Sequence, residues 1–284
     1  MTFENVRRVG HMVKEQRNIT VREIMMKLNI GSAAVQTILL EHLGLRKLSS
    51  HWIPHLLTPE QKQARVDWAG IMLKKFDKGR SKLLSQVITG GETWIYSYDP
   101  ETKQQSTVWV FEDEDPPTKV VRSRSVGKRM VAVFFRRQGL VKVVPLVEQK
   151  TVTSDWYVDV CLPAVFQEIN NARPATGLRG IMLHHDNASA HTAARTIEFL
   201  HESGVQVVPH PPYSPDLAPC DFFLFPKAKK ELRGQRFETQ DAAIGALAEV
   251  LDRVTLKEWQ SCYDTWFHRM THTIEVGGDY FEKI

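Results

Sequence analysis

The chain has 284 residues, 42% hydrophobic and 25% charged, with 16 Gly and 14 Pro, a globular composition that excludes disorder, collagen and disulfide scaffolds. No apolar run reaches the roughly 18 residues of a membrane span, the first residues lack the apolar core of a signal peptide, and Cys161, Cys220 and Cys262 stand too far apart for a C-x-x-C pair, so they read as reduced thiols. The net charge of +4 is uneven: residues 1–80 hold 14 Lys and Arg against 7 Asp and Glu, whereas the remaining 204 hold 23 against 26, the pattern of a basic, polyanion-attracting module joined to a near-neutral one.

Phe3, Val6, Val9 and Val13 recur at helical spacing and predict a first helix, broken by Asn18 to Thr20. Thr20-Val21-Arg22-Glu23 has the form of a capping box and predicts a helix to Leu28. Asn29-Ile30-Gly31 then makes a turn, Ser32 is expected to cap a second helix running to Leu43, and Gly44 supplies the left-handed residue after it. Two short helices across a tight turn outline a helix-turn-helix. Its second helix would offer Ser32, Gln36 and Thr37 to base edges, with Arg46 and Lys47 on phosphates. A three-helix packing unit without a ligand fits the same pattern, because the helix itself is not strongly basic.

Residues 58–82 are charged, open on Thr58-Pro59 and read as a connecting helix that starts at Pro59. The β-branched and aromatic stretch LSQVITGGETWIYSYD predicts a strand, and MVAVFFRRQGLVKVVPL predicts two strands turning at Gln138-Gly139. Between them, Asp99 to Lys128 is a long polar loop, a length that is usually functional. A helix around Ser154 to Asn170 follows. The apolar strand Gly180 to Leu183 ends in His184-His185-Asp186, a helix runs from about Ala188 to Glu202, and Val205 to Val208 is another strand. Ala242 to Leu251 and Leu256 to His272 are helical. Strands followed by alternating strand and helix give an α/β layered fold behind a small all-α domain. The expected division is 1–57 helix-turn-helix, 58–82 helical linker and 83–284 α/β domain.

Asp186 falls at the carboxyl end of an apolar strand, and Asp221 follows the Pro-rich turn Pro209 to Pro219 and opens a helix. Taken singly, each reads more readily as a cap than as a metal ligand. Together with the strings HHDNASAHTA, PHPPYSPDLAPCDFFLFPK and WIPHLL, they resemble the mariner branch of the Tc1/mariner DNA transposases. That family spaces two catalytic aspartates by 34 residues, and 34 residues lie between Asp186 and Asp221 here. Its linker motif W-V-P-H-E-L is matched by Trp52-Ile53-Pro54-His55-Leu56-Leu57, and its Y-S-P-D-L-A-P motif by Tyr213 to Pro219.

The resemblance implies an RNase H-like catalytic domain, a mixed sheet flanked by helices, in which three aspartates hold two Mg²⁺ or Mn²⁺ ions for phosphodiester cleavage and strand transfer. It implies Asp186 and Asp221 as metal ligands, the inverted repeats of a transposon as double-stranded DNA partner, a homodimer, no membrane and no small-molecule substrate. A nuclear location follows from the substrate, with Lys227-Ala228-Lys229-Lys230 as a short basic import candidate. Trp52, Pro54 and His55 would lie near the dimer interface. The loop from Asp99 to Lys128 would reach the partner through Trp109, Phe111, Arg122 and Arg124.

The first aspartate is missing: the family reads T-G-D-E-x-W, whereas this chain reads Thr89-Gly90-Gly91-Glu92-Thr93-Trp94. Strand alternation points Glu92 away from the site, and Asp99 reaches it only if the strand ends early. His184, His185 and His191 resemble a zinc cluster, but are expected to orient Asp186, contact DNA or pack. The family carries two helix-turn-helix units, and this sequence shows one, matching the second. The expected function is a transposase impaired by Gly91; the alternative is a catalytically inactive relic or domesticated DNA-binding dimer.

Overall fold

The computed structural model describes residues 2–46, 53–101, 127–147 and 151–281, which divide into two units, Met1–Trp52 and Ile53–Ile284. In the first unit, helix α1 spans Phe3–Glu15, α2 Val21–Leu28 and α3 Ser32–Thr37, the last continuing as wider π-type turns over Ile38–His42. Their shared stripe is Val9, Ile24, Val35 and Ile38, all at most 1% exposed. The capping box forms as expected: Glu23 N donates to Thr20 Oγ1 (3.2 Å) and Thr20 N to Glu23 Oε2 (2.7 Å). Asn29 and Gly44 both adopt left-handed backbone. One expectation fails. Gly31 is the N-cap of α3, and Ser32 is its first helical residue with no capping bond, because the chain has already turned at Asn29 and enters the helix from an extended Gly31.

Helix α4, Pro59–Lys75, is held at its start by a second capping box, in which Thr58 and Gln61 bond each other's backbone amides. It is not a connector. Trp68 and Ala69, with Met72 one helical turn further on, form a buried stripe and pack into the core of the second unit. Arg65 on the same face is 0% exposed. The helix ends at Lys75 and the chain turns through left-handed Asp77 and Lys78, so the expected linker 58–82 is an integral part of the larger unit.

The sheet comprises β1 Val87–Tyr96, β2 Lys128–Arg136, β3 Gly139–Pro145, β4 Met182–His184 and β5 Gln206–Val208, in the order β3-β2-β1-β4-β5. β1, β2 and β3 pair antiparallel, whereas β4 and β5 run parallel to β1, giving the expected mixed sheet. Between β3 and β4, α5 (Ser154–Trp156) leads through wider turns over Tyr157–Cys161 into α6 (Leu162–Ala172). After β4 the predicted single helix is two, α7 (Ser189–Thr192) and α8 (Ala194–Glu202), because Ala193 adopts extended backbone between them. The turns Cys220–Leu224, α9 (Phe225–Leu232), α10 (Gln240–Asp252) and α11 (Leu256–Glu275) complete the chain. Two apolar layers cover the sheet, one from α4, α9, α10 and α11, the other from α6, α8 and the turns at Tyr157 and Cys161. Cys161, Cys220 and Cys262 are free and buried, as expected.

The Pro-rich turn before Asp221 is fixed by Arg65. Its guanidinium bonds both carboxylate oxygens of Asp216 (2.8 and 2.6 Å), Ser214 Oγ (2.6 Å) and the carbonyl of Gly278 (2.8 Å), and sits 4.8 Å from the centre of the Tyr280 ring. Removing one partner of a buried pair strands the other charge. Arg65→Met is therefore expected to lower unfolding stability by about 3–5 kcal/mol in urea denaturation. A loss below about 1 kcal/mol, the range of solvent-exposed pairs, would show that the pair does not hold the turn.

Candidate catalytic site

Asp186 stands two residues past the end of β4, where the chain leaves the sheet. Its Oδ1 accepts from Ala188 N (3.0 Å) and from His191 Nδ1 (2.8 Å). His191 is fully buried, and its other ring nitrogen, Nε2, lies 3.3 Å from Glu92 Oε1. The imidazole thus bridges two carboxylates. Burial alone would depress the basicity of His191, but the bonds and charges of Asp186 and Glu92 hold it protonated, with a pKa raised to about 10. Burial would likewise raise Asp186, yet the His191 bond and charge and the Ala188 amide bring it down to about 2.

This corrects the expectation for Glu92. Strand alternation does place Gly91 and Glu92 on opposite faces, but Asp186 lies beyond β4 and is reached through His191 on the Glu92 side. Gly91 faces the other layer: a Cβ there would lie 2.9 Å from Cys220 Cβ and 3.3 Å from its Sγ. Gly90 allows a still closer approach, since a Cβ there would meet the Phe134 ring at 2.4 Å. Asp99 is engaged elsewhere, 3.9 Å from Arg233.

The histidines divide into separate roles. His184 shares hydrogen bonds with Thr89 Oγ1 (3.1 Å) and with His210 (3.0 Å), and His210 Nε2 donates to the carbonyl of Ser214 (3.0 Å). His185 bonds the Tyr157 hydroxyl (2.9 Å) and stacks on His191 with ring centres 4.6 Å apart. Burial lowers His184, lowers His185 to about 3 and lowers His210 to about 4, so all three are neutral. His184, His185 and His210 pack and bond between elements, and His191 orients Asp186. His184 and His185 do not join His191 in a three-histidine cluster.

Asp221 opens the turns Cys220–Leu224 and faces the same cleft as Asp186, a cavity of about 400 Å³ also lined by Tyr213 and Ser214. Its pKa is pushed up to about 6, by burial first and then by the charges of Asp186 and Glu92. A carboxylate raised by neighbouring carboxylates is one that a cation would relieve. On its other side Asp221 borders a cleft of about 470 Å³ with Thr93, Lys229, Lys230 and Arg233 on its wall. Lys227, the first residue of the basic group, instead pairs with Glu258 at 2.9 Å.

His55 stacks on Tyr213 at 3.9 Å, which brings His55 to the cleft wall, with Pro54 exposed beside it. In the first unit Ser32, Gln36 and Arg46 are exposed and Thr37 is half-buried, so this face is open to a ligand. Lys47, Trp52, Trp109, Phe111, Arg122 and Arg124 lie outside the described residues. The Glu92–His191 bridge, the Cys220 packing on Gly91 and the His55–Tyr213 stack were not read from the sequence. Only His191, five residues after Asp186 in HHDNASAHTA, carried a signal.

A raised carboxyl pKa favours the folded state below the unfolded value near 4, and that contribution is lost as pH rises through about 6. Without divalent cations, Asp221→Asn is therefore expected to raise Tm at pH 7.5 by about 2–4 °C, about 1 kcal/mol after solvent screening, and to leave it unchanged at pH 3.5. An equal change at both pH values would show that protonation of Asp221 is not the cause.

Comparison with known proteins places this geometry. Residues 98–244, which include Asp186 and Asp221, match the family described as DDE superfamily endonuclease. The chain is 29% identical over 267 residues to the human histone-lysine N-methyltransferase SETMAR, covering 93% of this chain and 38% of that protein. It is 27% identical over 252 residues to the mariner Mos1 transposase of Drosophila mauritiana, covering 88% of this chain and 68% of that one. The chain thus spans well under half of the first relative's length. The crystal structure of the Mos1 mariner paired end complex with Mn superposes with a TM-score of 0.78 at 26% identity, covering 98% of this chain and 80% of that one. The chain belongs to the DDE superfamily endonucleases and, within them, is of the mariner transposase type.

Proposed function

We propose that this protein acts on transposon-end DNA by metal-dependent phosphodiester cleavage and strand transfer, with catalysis impaired at Gly91. The observation that carries the reading is the convergence of Asp186 and Asp221, from separate segments, on one cleft beside an RNase H-like sheet. Their oxygens suit Mg²⁺ or Mn²⁺, and the burial and then the neighbouring carboxylates that raise Asp221 are what a cation there would offset. Two such ions, when bound, would activate the attacking oxygen and stabilise the leaving oxygen of a phosphodiester.

The chain's own residues supply the rest. His191 holds the Asp186 carboxylate ionised and oriented, and Lys229, Lys230 and Arg233 line the neighbouring cleft with charge suited to phosphate oxygens. Ser32 and Gln36 are the exposed candidates for base contact, with Thr37 beside them and Arg46 and Lys47 for phosphates. Homology to a protein solved as a paired end complex supports a homodimer that holds two DNA ends, and DNA as substrate supports action in the nucleus.

One observation favours the second reading, a DNA-binding dimer without catalysis. Gly91 offers no carboxylate, and Cys220 occupies the space that a side chain there would enter.

The deciding experiment is Mn²⁺-dependent nicking of duplex DNA by the chain, by Gly91→Asp, by Gly91→Asp with Cys220→Gly, and by Asp186→Ala. The expected order is near-background activity for the chain, a gain with Gly91→Asp, a larger gain when Cys220 also loses its Cβ, and none with Asp186→Ala. No gain in either folded Gly91 variant would sink the account in which Gly91 is the lesion. DNA affinity is expected to fall at least about tenfold between 50 and 200 mM salt through counterion release, measured by fluorescence anisotropy. Affinity that ignores salt would count against a phosphate-dominated interface.

A further inference from the structure

Between α4 and β1 the chain carries Lys78, Arg80 and Lys82 within a few residues, all three exposed. They border a cleft of about 730 Å³ whose opposite wall holds Arg137, from the turn between β2 and β3, and Asp264 and His268 from α11. Much of this positive charge is not neutralised by the protein. Arg80 pairs with Asp77 at 2.9 Å, but Arg137 comes only within 3.5 Å of Asp264, and its buried Nε has no hydrogen-bond partner among the described residues. Lys78 and Lys82 pair with no acid among the described residues.

The wall that carries the lysines is rigid. Asp77, Lys78 and Gly79 are all left-handed (φ 47, 51 and 91), and the turn closes where Gly79 N and Ser81 N donate to the carbonyl of Phe76 (2.9 and 3.0 Å). Two non-glycine residues at positive φ persist only where the surroundings impose them. Here α11 does so: Gly79 approaches it so closely that a Cβ would lie 2.9 Å from the Phe267 ring. The cleft is also remote from the catalytic aspartates. Ser85 on its rim precedes β1, whereas Asp186 lies past the end of β4, which runs parallel to β1 with His184 beside Thr89. The offset along the strands is about six residues, roughly 20 Å.

We propose that this cleft is a second DNA contact surface, which takes the phosphate backbone of duplex DNA without reading its sequence. Ammonium and guanidinium groups suit phosphate oxygens, and no Asn or Gln stands on the wall to bond base edges. The cations come from two segments and three of the four are exposed, so they meet successive phosphates rather than enclose one small anion. The phosphate chemistry of the cleft stands on its charge and geometry; that the polymer is DNA rests on the transposase reading.

The test is lysine acetylation of the full chain, read by mass spectrometry with and without a duplex of arbitrary sequence, at low and at high salt. The expected result is that DNA protects Lys78 and Lys82 at low salt and that high salt removes the protection. In parallel, Lys78→Gln with Lys82→Gln is expected to weaken duplex binding at least about fivefold at low salt and to reduce the slope of log affinity against log salt by about 1.8, the share of two phosphate contacts. Both lysines are exposed, so the variant keeps its fold, checked by circular dichroism. Lys78 and Lys82 equally reactive with and without DNA, or an unchanged salt slope in the double variant, would overturn the proposal. Protection of Lys229 and Lys230 alone would do so while leaving the proposed function standing, whereas protection of Lys78 and Lys82 alone would support this surface and count against DNA in the catalytic cleft.

Discussion

The turn from Pro209 to Pro219 decides where Asp221 stands, and it is held by buried donors rather than by its own backbone. Arg65 on α4 grips Asp216 and Ser214, Trp68 Nε1 donates to the carbonyl of Pro209 (2.6 Å), and Trp266 Nε1 on α11 donates to that of Leu217 (2.7 Å). A Pro-rich segment has few amide donors of its own, so its carbonyls need partners from elsewhere. Two helices supply them. Each donor is buried, and loss of any one would leave an unpaired polar group in the core. This explains why α4 belongs to the larger unit: its buried face is the scaffold of the turn that leads into the site.

On the other side of the cleft the constraint is a layer of histidines. His184 and His210 join β1 to the Pro-rich turn through a hydrogen-bonded chain, while His185 and His191 stack beside Tyr157. Burial leaves the first three neutral, and His191 alone is charged, because it alone touches carboxylates. The same residue type therefore performs two tasks according to its neighbours. Neutral rings relay hydrogen bonds between elements; the charged ring pins Asp186 at the mouth of the cleft.

Much of this was legible because its causes are local. Thr20 with Glu23, Pro59 after Thr58, and the β-branched run before Trp94 each act within a few residues, and the expected helices and strands are there. The spacing of Asp186 and Asp221 and the motif around each pointed to a shared site, and both residues line one cleft. What failed depends on distant partners. Nothing in the sequence near Arg65 says that its charge is satisfied by Asp216, 151 residues away, so a charged helix read as a solvated connector. Ser32 lost its capping role to a neighbour's backbone angle, and the break at Ala193 has no Gly or Pro to announce it.

Glu92 is the most instructive of these. Alternation along a strand is a reliable rule for the strand itself, and it held: Gly91 and Glu92 do face opposite layers. The error lay in assigning Asp186 to one face when its strand had already ended. Past His184 the chain is free of the ladder, and the short helix Ser189–Thr192 swings His191 across to the Glu92 side. Two acids, one on β1 and one past the end of β4, are then joined by one imidazole, with Asp221 feeling both charges. Although position 91 is Gly, the surroundings of Asp221 are not poor in negative charge, because Asp186 and Glu92 both bear on it.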